Sequence, residues 1–303
     1  MRRTTIQTLA ASAAAALVLA GCGSNDSAAS GATVPEGDEA SLSIGVPTGW
    51  DEGIAVSYLW QEILESEGYD VELETADIGL IFTSLSGGGY DLLLDAWLPG
   101  THADYVADAG EDIVDLGAWY DNAVLTIAVN EDSPAQSLAD LADMADEYGN
   151  RLVGIEAGAG LTRITQDEVI PTYGLDGMEY VVSSTPAMLA ELSSATESGT
   201  NVAVTLWRPH WAYDEFPVRD LEDPEGALGG AESIHSFGAS DFTERYPTLA
   251  TWLGAFELTD EQLFELENMM FNSDEYSDEA DAAAAWLEEN PDFVDDLKAA
   301  AQS

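Results

Sequence analysis

The chain has 303 residues, 46% of them hydrophobic, enough to fill more than one core. Its 58 acidic residues face only eight basic ones, a formal net charge of -50, and a chain with so few Lys and Arg is excluded as a nucleic-acid binder. Self-repulsion of that size opposes compaction in dilute buffer but is screened at 1 M salt, where the Debye length falls to about 3 Å, so the composition points to a salt-loving source.

The sequence opens with two arginines and an apolar run from Leu9 to Ala20, too short to span a membrane, which reads as a secretory signal over residues 1–21. The run ends in Leu19-Ala20-Gly21-Cys22, which matches a bacterial lipobox. Cys22, the only cysteine, is therefore expected to carry lipid and to anchor the protein on the extracytoplasmic face of the membrane, and no internal disulfide can form. Residues 22–40 are small, polar and aperiodic, and read as a flexible leash.

From Leu42 short apolar runs alternate with amphipathic stretches. LSIGV predicts a strand, and DEGIAVSYLWQEILESEGY, with Ile54, Tyr58, Leu59 and Ile63 at helical spacing, predicts a helix ending near Gly68. VELET, a short helix around IGLIFTSLSGG, and the strands YDLLLDAWL and LTIAVN follow. A second series runs through the helix SLADLADMADEYG, the strand RLVGIEAG, a helix opening at GLTRITQDEVIPTYG, the strand EYVVSS, the helix TPAMLAELSSATESG and the strand NVAVTLW. Such alternation argues an α/β fold of two units. The last part is predicted helical, over DFTERYPTLATWLGAF, TDEQLFELENMMFN and SDEADAAAAWLEENPDFVDDLKAAA, with Thr259 and Ser277 as caps of the second and third, and packs back on the first unit.

Three segments place a tryptophan at a strand end: GVPTGWDEGIA (Trp50), LLLDAWLPGTH (Trp97) and VTLWRPHW (Trp207). Ligands of open α/β sheets sit at such ends, and three converging indoles offer electron-rich faces suited to a quaternary ammonium, which has no N–H to donate. GIEAGAGLTRIT sets small residues at a strand-to-helix turn, where free amides suit a carboxylate. The turn matches neither phosphate-loop nor dinucleotide fingerprints, and the three histidines lack metal-ligand spacing, so neither cofactor nor metal is expected. His235 reads as a structural residue on a strand. An exported glycoside hydrolase with tryptophan platforms is the remote alternative; the chain lacks G-x-S-x-G, H-E-x-x-H and a mature cysteine nucleophile other than Cys22, and the expectation is that it is not an enzyme.

In the order WDEGIAVSYLWQEILESEGYDVEL, DLLLDAWLPGTHADY, DLGAWYDNAVLTIAV, VGIEAGAGLTRIT, SSTPAMLAEL and VTLWRPHWAYDEF, the segments resemble glycine-betaine-binding lipoproteins of ABC importers over about residues 42–270. The resemblance implies a two-lobe periplasmic-binding-protein fold of type II, with lobe 1 formed by residues 41–128 and 208–303, lobe 2 by 129–207, and the ligand in the cleft between them. It implies an aromatic cage of Trp50, Trp97 and Trp207 for the trimethylammonium, and His102 with the amides of Gly160 and Leu161 for the carboxylate. His210 and Trp211 stand beside the cage segment, either at the ligand or buried behind it. The implied partners are glycine betaine, a permease and its ATPase subunit, with the binding protein a monomer. Choline, carnitine, proline betaine and ectoine are the alternative ligands.

Overall fold

The computed structural model of the chain describes residues 32–302; the signal segment and Cys22 lie outside the described residues. Among the described residues nine strands form one mixed sheet: β1 (Ser41–Pro47), β2 (Asp70–Ala76), β3 (Leu92–Leu98), β4 (Ile113–Asn130), β5 (Arg151–Val153), β6 (Glu179–Val181), β7 (Ala203–Arg208), β8 (Val218–Asp220) and β9 (Glu232–Ala239). The order is β2-β1-β3-β9-β4-β7-β5-β6, with β8 pairing on β4. β1 lies parallel to β2 and β3 at one end, β5 parallel to β6 and β7 at the other.

The two halves are joined by β4, which is antiparallel to β9 from Ile113 to Ala123 and to β7 from Val124 to Val129. Sequence periodicity predicted only its second part, LTIAVN. The first part escapes because DLGAWYDN carries turn residues: Gly117 and Asn122 take φ of 121° and 66°, and the register against β9 shifts around them. Left-handed residues and bulges break the alternation by which strands are recognised.

The helix Asp51–Ser66 buries Ala55, Val56, Leu59, Trp60 and Ile63 against the first half, the stripe its spacing demands. The helix predicted over 137–149 is much shorter. Only Leu138–Leu141 and a turn at Ala145–Tyr148 are helical; the Asp140 carboxylate closes the N-terminus as a capping box, accepting the Gln136 and Ser137 amides and the Ser137 hydroxyl, and Gly149 ends the segment with a φ of 62°. The helix from Gly160 to Tyr173 contains a π-helical turn, Thr165–Val169, just before Pro171, which has no N–H to give.

Thr259 caps Asp260–Phe271 in a reciprocal box with Gln262. The last predicted helix is instead two, Glu279–Glu289 and Phe293–Ala300, divided at Pro291, and the cap is Asp278 rather than Ser277, accepting from the Asp281 amide at 3.0 Å. Asp260–Phe271 and Glu279–Glu289 pack on Asp51–Ser66, and Lys298, the only lysine, pairs with Glu67 at 2.5 Å above the Trp252 ring. Residues 32–40, assigned to the leash by composition, are partly docked: Asp38 accepts from Tyr69 Oη at 2.6 Å and from the Thr248 and Leu249 amides, and Glu39 pairs with Arg245. Composition records that a segment is polar, and misses that one of its carboxylates closes a helix N-terminus.

Candidate ligand-binding site

At the seam between the halves lies a narrow cavity whose wall includes Trp50, Trp97, Trp207, His102, Gly160 and Leu161. The six residues singled out from sequence thus meet in one place. The rest of the wall is Glu52, Thr101 and the apolar Leu125, Ile155 and Ala159.

Each indole is fixed differently. Trp50 immediately precedes the helix Asp51–Ser66 and stacks on the His102 ring, 5.5 Å between centroids and 5° from parallel. Asp95 and Trp97 lie two apart on β3 and so on one face, where Trp97 Nε1 donates to Asp95 Oδ1 at 2.8 Å. Trp207, near the end of β7, donates through Nε1 to Glu52 Oε2 at 2.8 Å, a bond from one half of the sheet to the helix on the other. A carboxylate on the indole edge fixes the ring and leaves its face for a cation.

His102 closes the loop after β3 back on Trp97, whose backbone amide donates to Nδ1 at 2.9 Å. With Nδ1 accepting, the ring proton is assigned to Nε2, which is buried and has no hydrogen-bond partner. Burial, reinforced by the Arg163 guanidinium, pushes the imidazole down to about 3, so the ring is neutral at physiological pH and offers one N–H. Across the cavity, Gly160 and Leu161 begin a helix that no side chain caps, so their amides have no intrahelical partner. Gly160 is glycine for a steric reason: a Cβ there would stand 2.3 Å from the Thr101 carbonyl oxygen. Gly160→Ala is therefore expected to hold the halves apart and weaken ligand binding severalfold, at the lower end of the ~1–3 kcal/mol cost of overpacking, with thermal stability of the unliganded protein little changed. Equal affinity for ligand in calorimetry would refute that contact.

With Glu52 in the cavity wall, three more buried acids stand behind the cage: Asp51, Asp95 and Glu267. Burial pushes Asp51 and Asp95 up to about 7, and pushes Glu52 well above its usual range with help from the charges of Asp95 and Glu267. His210 and Trp211 belong to this rear wall and do not line the cavity. His210 packs edge-on to Trp207 at 4.7 Å, with Nε2 3.7 Å from Asp51, and Trp211 donates its indole N–H to Asp51. His235 faces Asp115 from β9, away from the cavity, as a strand residue.

Sequence reasoning missed Glu52 and Asp95. The available signal was position: Glu52 falls on the apolar stripe of its helix with Val56, Leu59 and Ile63, and Asp95 interrupts the apolar run LLLDAWL. An acid placed where a hydrophobe is expected needs a partner, and here each finds an indole N–H.

The family model for the substrate binding domain of ABC-type glycine betaine transport systems matches residues 40–289. The glycine betaine/carnitine transport binding protein GbuC of Listeria monocytogenes is 33% identical over 154 residues, 50% of this chain and 50% of that protein, so the chain spans about half the length of this curated relative. An uncharacterized protein of Chromohalobacter salexigens is 30% identical over 115 residues, 36% of this chain and 74% of its own. Among solved structures, the glycine/betaine/L-proline-binding protein ProX of Borrelia burgdorferi superposes with a TM-score of 0.79 at 27% identity, covering 86% of this chain and 99% of that one. An ABC-transporter choline binding protein in complex with choline gives 0.77 at 26%, covering 87% and 97%. Lactococcal OpuAC complexed with glycine betaine gives 0.79 at 23%, covering 86% and 99%. The fold is that of type II periplasmic binding proteins, and the family and these neighbours are solute-binding proteins rather than enzymes.

Proposed function

The chain belongs to the family of substrate-binding domains of ABC-type glycine betaine transport systems, and on that premise we propose that it captures glycine betaine outside the cytoplasm and presents it to the permease and ATPase of an importer. The observation that carries this reading is the buried, unpartnered Nε2–H of His102 beside three indoles: a donor for a carboxylate next to a seat for a cation. The trimethylammonium lies among Trp50, Trp97 and Trp207, and the carboxylate takes the His102 N–H and the amides of Gly160 and Leu161.

The lobes are residues 41–128 with 208–303, and 129–207, and ligand in the cleft favours their closed arrangement. The change of partner in β4 between Ala123 and Val124 supports a hinge a few residues upstream of the first of these boundaries. Cys22 anchors the protein by lipid, as a monomer, and the acidic surface adapts it to brine.

Choline is the second reading, favoured by the likeness in fold and sequence to the choline binding protein solved in complex with choline. Tryptophan-fluorescence titration of the mature domain in molar salt, with glycine betaine, choline and a neutral sugar, tests both. A saturable change with betaine supports the main reading, a response to choline alone replaces it, and silence to both removes the cavity from transport. His102→Ala is expected to weaken betaine binding more than choline binding, by about tenfold or more, the value of one hydrogen bond to a charged group. Equal losses would take the carboxylate away from His102.

A further inference from the structure

Glu232 begins β9 opposite Ala123, the last residue of β4 to pair with β9 before β4 turns to β7. It is only 6% exposed, and its carboxylate is spent on one loop. Oε2 accepts the Gly100 and Thr101 amides at 3.0 Å each, and Oε1 accepts the Thr101 hydroxyl at 2.6 Å. The carbonyls of the same two residues accept from the opposite side: Arg163 Nη2, on the helix that starts at Gly160, reaches Gly100 O at 3.3 Å and Thr101 O at 3.4 Å. The peptide groups of residues 100 and 101 therefore lie between a buried carboxylate at the crossing strands and a guanidinium on the other half of the sheet.

This loop is also cavity wall. Thr101 lines the cavity, His102 follows it, and the Thr101 carbonyl is the atom against which Gly160 closes. A loop held at its amides by Glu232 presents its carbonyls and Thr101 in one orientation, and a carboxylate polarises those peptides toward the cation they meet. We propose that Glu232 is a positioning residue for ligand capture, tying the strand crossing to the loop of residues 99–102 so that this wall of the site stays aligned with the second half on closure. The proposal rests on the cavity being the ligand site.

Calorimetry and stopped-flow with glycine betaine test it, using Glu232→Gln, Arg163→Gln and the double variant. In Glu232→Gln the amide NH2 faces a peptide N–H, donor against donor, and affinity is expected to fall by about tenfold, chiefly through faster release, as when one partner of a buried charged hydrogen bond is removed. Because both side chains act on the same peptides across the seam, the Glu232→Gln loss should shrink to under about threefold in the Arg163→Gln background. The fall in melting temperature of unliganded protein should be the same in both backgrounds, which a merely structural role would give for affinity as well. Glu232→Asp, which keeps the charge but withdraws it by one methylene, should reproduce the affinity loss and serves if the glutamine variant does not fold. Wild-type affinity in either variant, or full additivity with Arg163→Gln, overturns the proposal while leaving the transport reading intact. Failure of wild-type protein to bind betaine or choline overturns both.

Discussion

Trp97→Ala is expected to weaken glycine betaine binding by more than tenfold, or about 1.4 kcal/mol, in fluorescence or calorimetric titration. Loss of the ring face alone removes a cation–π contact of ~0.5–2 kcal/mol. The substitution also strips Asp95 of its donor. Asp95 is fully buried, its Oδ2 has no partner, and the Trp97 N–H is the contact that opposes the upward push of burial on this carboxyl. Without that N–H the group rises further above about 7 and takes up a proton, so negative charge leaves the rear of the cage as well. Trp97→Phe separates the two effects: it restores an aromatic face without the N–H, and should recover part of the loss. An unchanged affinity in Trp97→Ala would remove Trp97 from the cage.

The same pairing shows why the cavity wall was legible in the sequence and its support was not. Tryptophan after a strand is rare enough to carry information, and Trp50, Trp97 and Trp207, with His102 and the turn at Gly160 and Leu161, are the residues that meet at the cavity. Glutamate and aspartate carry almost none in a chain with 58 of them. Glu52, Asp95 and Glu232 differ from the solvated acids only in where the fold places them, and Glu232 contacts a loop 131 residues earlier in the chain. His210 and Trp211 stayed ambiguous for a related reason: whether a residue after Pro209 faces ligand or lies behind Trp207 depends on Asp51, across the sheet. Strand β4 was half read because bulges erase the alternation that announces a strand, although that strand joins the two halves.

Glu267→Met is expected to stabilise the protein, and increasingly so as pH rises. Glu267, on Asp260–Phe271, is fully buried and neither carboxylate oxygen has a hydrogen-bond partner. Burial, then the charge of Asp51, holds this carboxyl well above its ordinary 4.5, and the Trp211 amide opposes this in part without meeting hydrogen-bond geometry. Below 4.5 folded and unfolded chains both carry the proton and pH changes nothing at this site. Above it the unfolded chain ionises while the folded chain keeps its proton, so folding loses up to about 1.4 kcal/mol per pH unit until the folded carboxyl also ionises. Methionine removes both this penalty and the ~1–3 kcal/mol cost of unsatisfied buried oxygens, at about 2–4 °C of melting temperature per kcal/mol. The melting-temperature gap between variant and wild type, measured from pH 4 to pH 8 in molar salt, should widen upward from pH 4.5; a gap independent of pH, or a less stable variant at pH 8, would show that Glu267 folds without its proton. Its neighbours give the residue a use beyond stability. Glu267 is one of the charges that raise Glu52, and Glu52 holds Trp207. That charge acts only where Glu267 is itself ionised, so the variant should leave the titration of Glu52 and betaine affinity unchanged at the pH where Glu267 keeps its proton, and lower the pH of Glu52 ionisation only above it.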